Sequence, residues 1–178
     1  MHTSSSVVIR IVLWLIMIIG GTIFSILNDY DRAIFNSLLF HIASFSFGLF
    51  LIFLAFRAAG NGGRELTKGR VGDIPRLETN KLVTTGIYSC MRHPMLFGLT
   101  LLPLGVAFLI GSPTFIIFVA PIEMVFIVFM ITIFEEMEVS KKFGEDYAQY
   151  REKVPMVSFK WSCLKWLFGK KYCPNKRL

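Results

Sequence analysis

The sequence predicts an all-α fold, an integral membrane helical bundle with about four transmembrane helices and a cytoplasmic C-terminal helical region. Three observations carry this. The chain has 178 residues, of which 54% are hydrophobic and only 17% charged, against about 25% charged in a soluble domain. A globule this small exposes much of its surface, so the apolar surplus has to face lipid. The apolar residues are also gathered in blocks, each near the roughly 20 helical residues that a bilayer core requires. Finally, the net charge of +7 sits between those blocks in basic clusters. That pattern points to an anionic membrane leaflet, and not nucleic acid, as the partner.

The elements follow in order. Residues 7–27 form the first block, interrupted only by Arg10, which can snorkel to the interface. This block is long enough to span and lacks a small-residue cleavage site, so it reads as a retained anchor. A polar turn at 28–32 leads to the second block, 34–56, where His41 and several Ser and Gly favour close helix packing. Residues 57–81 form a polar loop holding Arg57, Arg64, Lys68, Arg70, Arg76 and Lys81. The third block, 94–110, turns back at 111–113 into the fourth, 114–134. Pro103 and Pro121 are expected to kink these helices. Residues 135–153 continue the fourth helix out of the membrane until Pro155 stops it. Residues 159–172 mix Trp161, Leu164, Trp166 and Phe168 with Lys160, Lys165, Lys170 and Lys171, a basic amphipathic stretch suited to a membrane surface.

The long loop and the tail are basic, whereas the two short turns carry one Arg between them. The positive-inside rule then places both termini, the loop and the tail in the cytoplasm. The organisation is a single membrane domain over 1–178. Within it lie an N-terminal hairpin (1–56), a cytoplasmic loop (57–81), a functional core (82–157) and a basic interfacial tail (158–178). The three cysteines, Cys90, Cys163 and Cys173, are odd in number and form no CxxC. They read as free thiols, with neither a disulfide framework nor a metal site expected.

Several residues stand out chemically. Arg92-His93-Pro94 opens the third block, with Pro at a favoured first helical position. A helix start beside Arg and His suits a carboxylate, while the plainer reading is a cap and a headgroup anchor. Glu135-Glu136 stands where the fourth helix leaves the membrane. A carboxylate there can hold an ammonium or sugar hydroxyls, or can simply be a solvated helix start. Glu123, inside the fourth block, is an intramembrane ionisable residue and so a functional candidate, the alternative being a neutral group hydrogen-bonded to another helix or to water. Tyr147 and Arg151, four apart, share a helix face. Tyr150 and Lys153 lie on a neighbouring face.

Taken together, Leu82-Val83, Gly86, Tyr88 and Arg92-His93-Pro94, then a hairpin, Glu135-Glu136, Phe143-Gly144-Glu145, Tyr147, Tyr150 and Lys153-Val154-Pro155 resemble one family. It is the isoprenylcysteine carboxyl methyltransferase and phospholipid methyltransferase superfamily. The resemblance spans residues 80 to 157, nearly half the chain. It implies an enzyme using S-adenosylmethionine in a cytoplasmic pocket. Its cofactor-binding residues would be Leu82, Val83, Gly86, Tyr88, Arg92, His93, Pro94, Glu135 and Glu136. The catalytic candidates are Arg151, Lys153, Tyr147 and Glu123, with no metal. Two departures bear on the substrate. Leu96 stands where the family often has Tyr, and Lys153 where carboxyl methyltransferases usually have Arg, which removes a bidentate fork.

The acceptor expected is lipid-soluble or prenylated, either a carboxylate or a phospholipid amine. A carboxylate needs a positive partner, and Arg151 and Lys153 are offered. An amine must lose a proton, for which Glu123, Glu135 or Tyr147 are offered. Two rivals stand beside this reading. One is an NADPH-dependent membrane reductase of the sterol reductase type, and the other a non-enzymatic membrane protein.

Overall fold

A computed structural model describes residues 3–32, 34–35, 37–72 and 79–169, with side chains from residue 12 onward. The Arg10 side chain, Arg76, Lys170, Lys171, Tyr172 and Cys173 lie outside the described residues. Helix accounts for 79% of the structure, and there are no strands among the described residues. The elements are α1 (Thr3–Asp29), α2 (Leu38–Leu66), a 3₁₀ turn (Thr67–Gly69), a second 3₁₀ turn (Gly86–Ser89), α3 (Pro94–Leu99) and α4 (Leu101–Ile110). A π-turn (Phe115–Val119) then enters α5 (Ala120–Met130), a second π-turn (Ile131–Glu135) enters α6 (Glu136–Lys153), and α7 (Trp161–Phe168) follows. Three helical stretches are long and apolar enough to cross a membrane, ending at Asp29, Gly69 and Lys153, and a shorter apolar stretch covers Pro94–Ile110. Large apolar side chains such as Ile16, Phe24, Leu39, Phe50, Ile117 and Val125 are exposed along them. In water such surface would be untenable; in lipid it is solvated.

The chain divides into two compact units, residues 1–52 with 101–128, and residues 53–100 with 129–178. In the first, small residues let backbones approach, as membrane helices require. Gly48 of α2 lies against the α4 backbone at Gly105 and Leu109, and Gly105 against Ile52. Ser44 donates to the Phe108 carbonyl at 2.6 Å, and Phe47 meets Phe108 edge to face. Gly21 of α1 packs on Val119.

Asp29, fully buried, closes this unit. Its carboxylate accepts from the Ser112 hydroxyl (2.5 Å), the Thr114 amide (2.8 Å) and the Thr114 hydroxyl (2.6 Å), while Arg32 pairs with it at 3.2 Å. The last residue of α1 thus caps the start of the fourth apolar segment, satisfying donors that a helix N-terminus leaves orphaned.

In the second unit, Ala58, Val83, Ile87, Tyr88, Met91, Cys163 and Leu167 form one core. A second core joins Tyr147, Tyr150 and Val154, with Leu82, Val139 and Phe143 against it. Gly98 of α3 sits on Ala55 and Ala58, and Gly62 of α2 on Pro94 and Met95.

The structure corrects the sequence reading in four places. The segment expected as loop from 57 begins as helix, since α2 runs to Leu66; the glycines it tolerates there include Gly62, whose missing side chain makes room for Met95. The third apolar block is two helices with a break at Thr100. Pro103 has no N–H to pair with the Leu99 carbonyl, and the ladder opens there. Likewise the π-turn over Phe115–Val119 lies just before Pro121. Third, the charged helix 136–153 is broken at Gly144, whose φ of 52° and ψ of −125° suit glycine alone. Last, Cys90 and Cys163 are joined as a disulfide, with Cα atoms 5.8 Å apart and a separation of 73 positions in sequence. The expectation of free thiols fails for this pair because packing of α7 against the Gly86–Ser89 turn brings them together, which no local spacing reveals.

Candidate functional site

The polar cluster of the second unit is built on Glu136. It stands directly after the π-turn Ile131–Glu135, a local widening of the helix that is frequent at functional sites. Its carboxylate is 7% exposed. Arg92 Nη1 donates to Oε2 at 2.7 Å, Tyr147 Oη donates to Oε1 at 2.7 Å, and His93 Nε2 lies 2.7 Å from Oε1. Arg151 approaches Oε2 at 3.8 Å from a side chain that is 63% exposed.

His93 bridges the two glutamates. Its Nδ1 lies 3.4 Å from Glu135 Oε2 while its Nε2 faces Glu136. Whichever ring nitrogen carries the proton has a carboxylate to receive it. The Glu135 side chain is 35% exposed, so one carboxylate of the pair is enclosed and the other open.

Backbone contacts hold the arginine and histidine in place. Arg92 N donates to the Pro155 carbonyl at 3.0 Å and His93 N to the Met156 carbonyl at 3.3 Å. The Lys153-Val154-Pro155 motif therefore acts partly through its backbone, with the Pro155 carbonyl accepting from Arg92 N. Tyr150 donates its hydroxyl to the Tyr88 carbonyl at 2.6 Å, which fixes the end of the 82–88 segment. Arg92 also stacks over the Tyr147 ring at 6.0 Å and reaches its hydroxyl at 3.3 Å. The Arg92 Nε is buried without a hydrogen-bond partner.

The charges tune one another. Burial opposes the ionised Glu136, but hydrogen bonds from Tyr147 and His93 and the Arg92 charge outweigh it and hold the carboxyl below the usual carboxylate range. For Tyr147, burial first and then its bond to Glu136 push the phenol up to about 12. Burial likewise raises Tyr88, with the Glu135 and Glu65 charges adding to it.

Of the residues singled out in the sequence, Arg92, His93, Glu135, Glu136, Tyr147 and Arg151 come together. Leu82, Val83, Gly86 and Tyr88 form a segment packed in the same unit, and Pro94 opens α3 as its first residue. Lys153 is exposed and takes no part in the network. Glu123 belongs to the first unit, where it is 1% exposed, faces Gly21, and has neither oxygen hydrogen-bonded. Among the described residues it therefore makes no hydrogen bond to a neighbouring helix. Sequence reasoning missed Glu65 and Thr85, described below. Nothing in their spacing marks them, because they meet only when α2 packs beside the 82–88 segment.

An all-helical protein with lipid-spanning stretches and a buried Arg–His–Glu–Tyr cluster defines a membrane protein with a polar, enzyme-like centre. Comparison with known proteins makes this specific. The phospholipid methyltransferase family model matches residues 36–146, and the chain belongs to that family. It is also 32% identical over 117 residues to protein-S-isoprenylcysteine O-methyltransferase B of Arabidopsis thaliana, an alignment covering 62% of this chain and 56% of that protein. The chain thus spans a little over half the length of this relative.

Proposed function

We propose that this chain transfers a methyl group from S-adenosylmethionine to a lipid-soluble acceptor. The observation that carries the reading is the cluster around Glu136, with one donor left over. Arg92 Nε is buried and unpartnered, and a buried guanidinium N–H without a partner is costly unless a ligand accepts from it. The amino-acid end of S-adenosylmethionine offers a carboxylate for that donor and an ammonium for the open Glu135. Ribose hydroxyls are alternative partners for Glu135. These residues fit the group.

When bound, the cofactor supplies a methyl carbon already activated on a sulfonium. The residues of the chain have the task of orientation. Glu136 fixes the side chains of Arg92, His93 and Tyr147 so that their donors need not reorganise when the ligand enters. Leu82, Val83, Gly86 and Tyr88 wrap the ligand, and Pro94 opens the helix that follows. Holding nucleophile, methyl carbon and sulfur in line can contribute on the order of 7–11 kcal/mol.

The acceptor brings the nucleophile. A prenylcysteine-like carboxylate is already ionised and needs a cation, and the exposed Arg151 offers one with its planar fork. Lys153 is a second, weaker candidate. A phospholipid amine would instead have to lose its proton to Glu135, because Tyr147, with its phenol pushed up to about 12, already carries its own. We place the site and both termini on the cytoplasmic side from the charge pattern of the sequence.

The test is calorimetric binding of S-adenosylhomocysteine to the detergent-purified chain. Micromolar affinity that disappears in Glu136→Ala supports the reading. A folded protein that ignores S-adenosylhomocysteine but binds NADPH would reverse it in favour of a reductase.

A further inference from the structure

Glu65 lies in the last turn of α2, outside the motifs that mark the site. It is 7% exposed. Thr85 donates its hydroxyl to Glu65 Oε1 at 3.1 Å, and Lys68 Nζ pairs with Oε2 at 2.7 Å. The Glu65 carboxyl also occupies the space that any side chain at Gly86 would need. Gly86 has a φ of 59°, the left-handed region that glycine adopts without strain. One carboxylate thus meets two consecutive residues of the 82–88 segment, by hydrogen bond at Thr85 and by close approach at Gly86.

The ends of this segment are held separately. At its start, Lys81 N donates to the Gly69 carbonyl at 3.0 Å, and the Asn80 amide bonds in both directions with the Val71 backbone at 2.9 and 2.6 Å. At its end, Tyr150 holds the Tyr88 carbonyl. Glu65 is the polar anchor of the middle. A buried carboxylate is a costly way to fill space, since an apolar side chain would pack there without desolvating a charge. Its presence is explained by what it holds.

We infer that Glu65 is a positioning residue, which fixes Thr85 and Gly86 in the backbone shape that receives the cofactor. This rests on the function proposed above. Glu65 acts through the segment and does not touch the reacting atoms.

The experiment compares Glu65→Ala, Thr85→Val, Thr85→Ser and the double variant Glu65→Ala/Thr85→Val in the detergent-purified chain of 178 residues. The first readout is calorimetric affinity for S-adenosylhomocysteine. The second is hydrogen exchange of the 82–88 amides without ligand. Each of Glu65→Ala and Thr85→Val is expected to weaken binding about tenfold, the loss of one hydrogen bond to a charged group. Thr85→Ser, which keeps the hydroxyl, returns to within about twofold. The double variant is no weaker than the worse single one, because the two residues act as a unit. In Glu65→Ala the 82–88 amides exchange faster while the rest of the chain does not. Unchanged affinity in both single variants, or losses that multiply in the double variant, overturns the inference. If the unaltered chain binds no S-adenosylhomocysteine, the proposed function fails. The exchange readout then decides the role of Glu65, and unchanged protection at 82–88 overturns it.

Discussion

The Glu136 carboxylate holds the Arg92 guanidinium at 2.7 Å, across 44 positions of sequence, and both side chains are largely buried. Removing one partner of such a pair leaves the other charge stranded, at a cost of about 3–5 kcal/mol. Glu136→Ala therefore frees Arg92, His93 and Tyr147 together. We expect S-adenosylhomocysteine affinity to fall at least about a hundredfold. Circular dichroism in detergent should still show the helical content, since α2 and α5 do not depend on this pair.

Tyr147→Phe removes one bond to Glu136 and keeps the ring that Arg92 stacks on. A loss of about fivefold in affinity is expected. Because the phenol is pushed up to about 12, it stays protonated across working conditions. The affinity ratio of variant to parent should then be constant between about pH 6 and pH 9. A ratio that drifts with pH in that range would mean Tyr147 titrates.

Glu136 also predicts how stability depends on pH. Its folded pKa lies below the ordinary value of 4.5. Such a group stabilises the fold above the unfolded value and loses that contribution as pH falls through the folded one. Thermal scans of the parent chain should be insensitive to this group above about pH 5 and decline below it. In Glu136→Gln the acid decline should be shallower, though from a lower plateau.

Asp29→Ala strips the cap from the start of the fourth apolar segment. The Ser112 hydroxyl and the Thr114 amide and hydroxyl lose their acceptor in a fully buried place. A cost of about 2–3 kcal/mol and a melting temperature lower by several degrees are expected. Asp29→Asn, which keeps an acceptor oxygen, should lose about half as much.

The Cys90–Cys163 bridge closes a long stretch of chain and ties α7 to the segment that precedes Arg92. Cross-links over loops of this size stabilise by about 2–4 kcal/mol. Cys163→Ser, or reduction of the parent protein, should lower the melting temperature and increase proteolysis around 158–169. An identical melting curve with and without reductant would show that the bridge contributes nothing.

The membrane fold was legible because lipid imposes it. A chain with blocks of about 20 apolar residues has few other options, and α1, α2 and the segment from Phe115 fell where those blocks lie. Arg92-His93 and Glu135-Glu136 each stood out as charged residues at the ends of apolar blocks, but that they pair with one another shows only in the structure. The partners that were not legible are those set by packing at long range. Cys90 with Cys163, Glu65 with Thr85, and Asp29 with Ser112 have no local periodicity in common. Gly144 was visible as a residue but not as a break, since an exposed glycine inside a charged helical pattern is compatible with either.

The π-turn at Ile131–Glu135 decides which way α6 faces. A π-turn holds one more residue than the α-helical turn it replaces, and so rotates everything after it by about 100° relative to an unbroken helix. It works as a phase shifter. The facing of Glu136 and of the rest of α6 is thus set by the turn directly before them. Deleting a single residue within 131–135 would remove the extra residue together with the wide turn and leave α6 facing as it does, whereas closing the turn into uniform helix with every residue kept would swing Glu136 and all that follows by about 100°, an error in angle that no substitution at Glu136 itself could imitate.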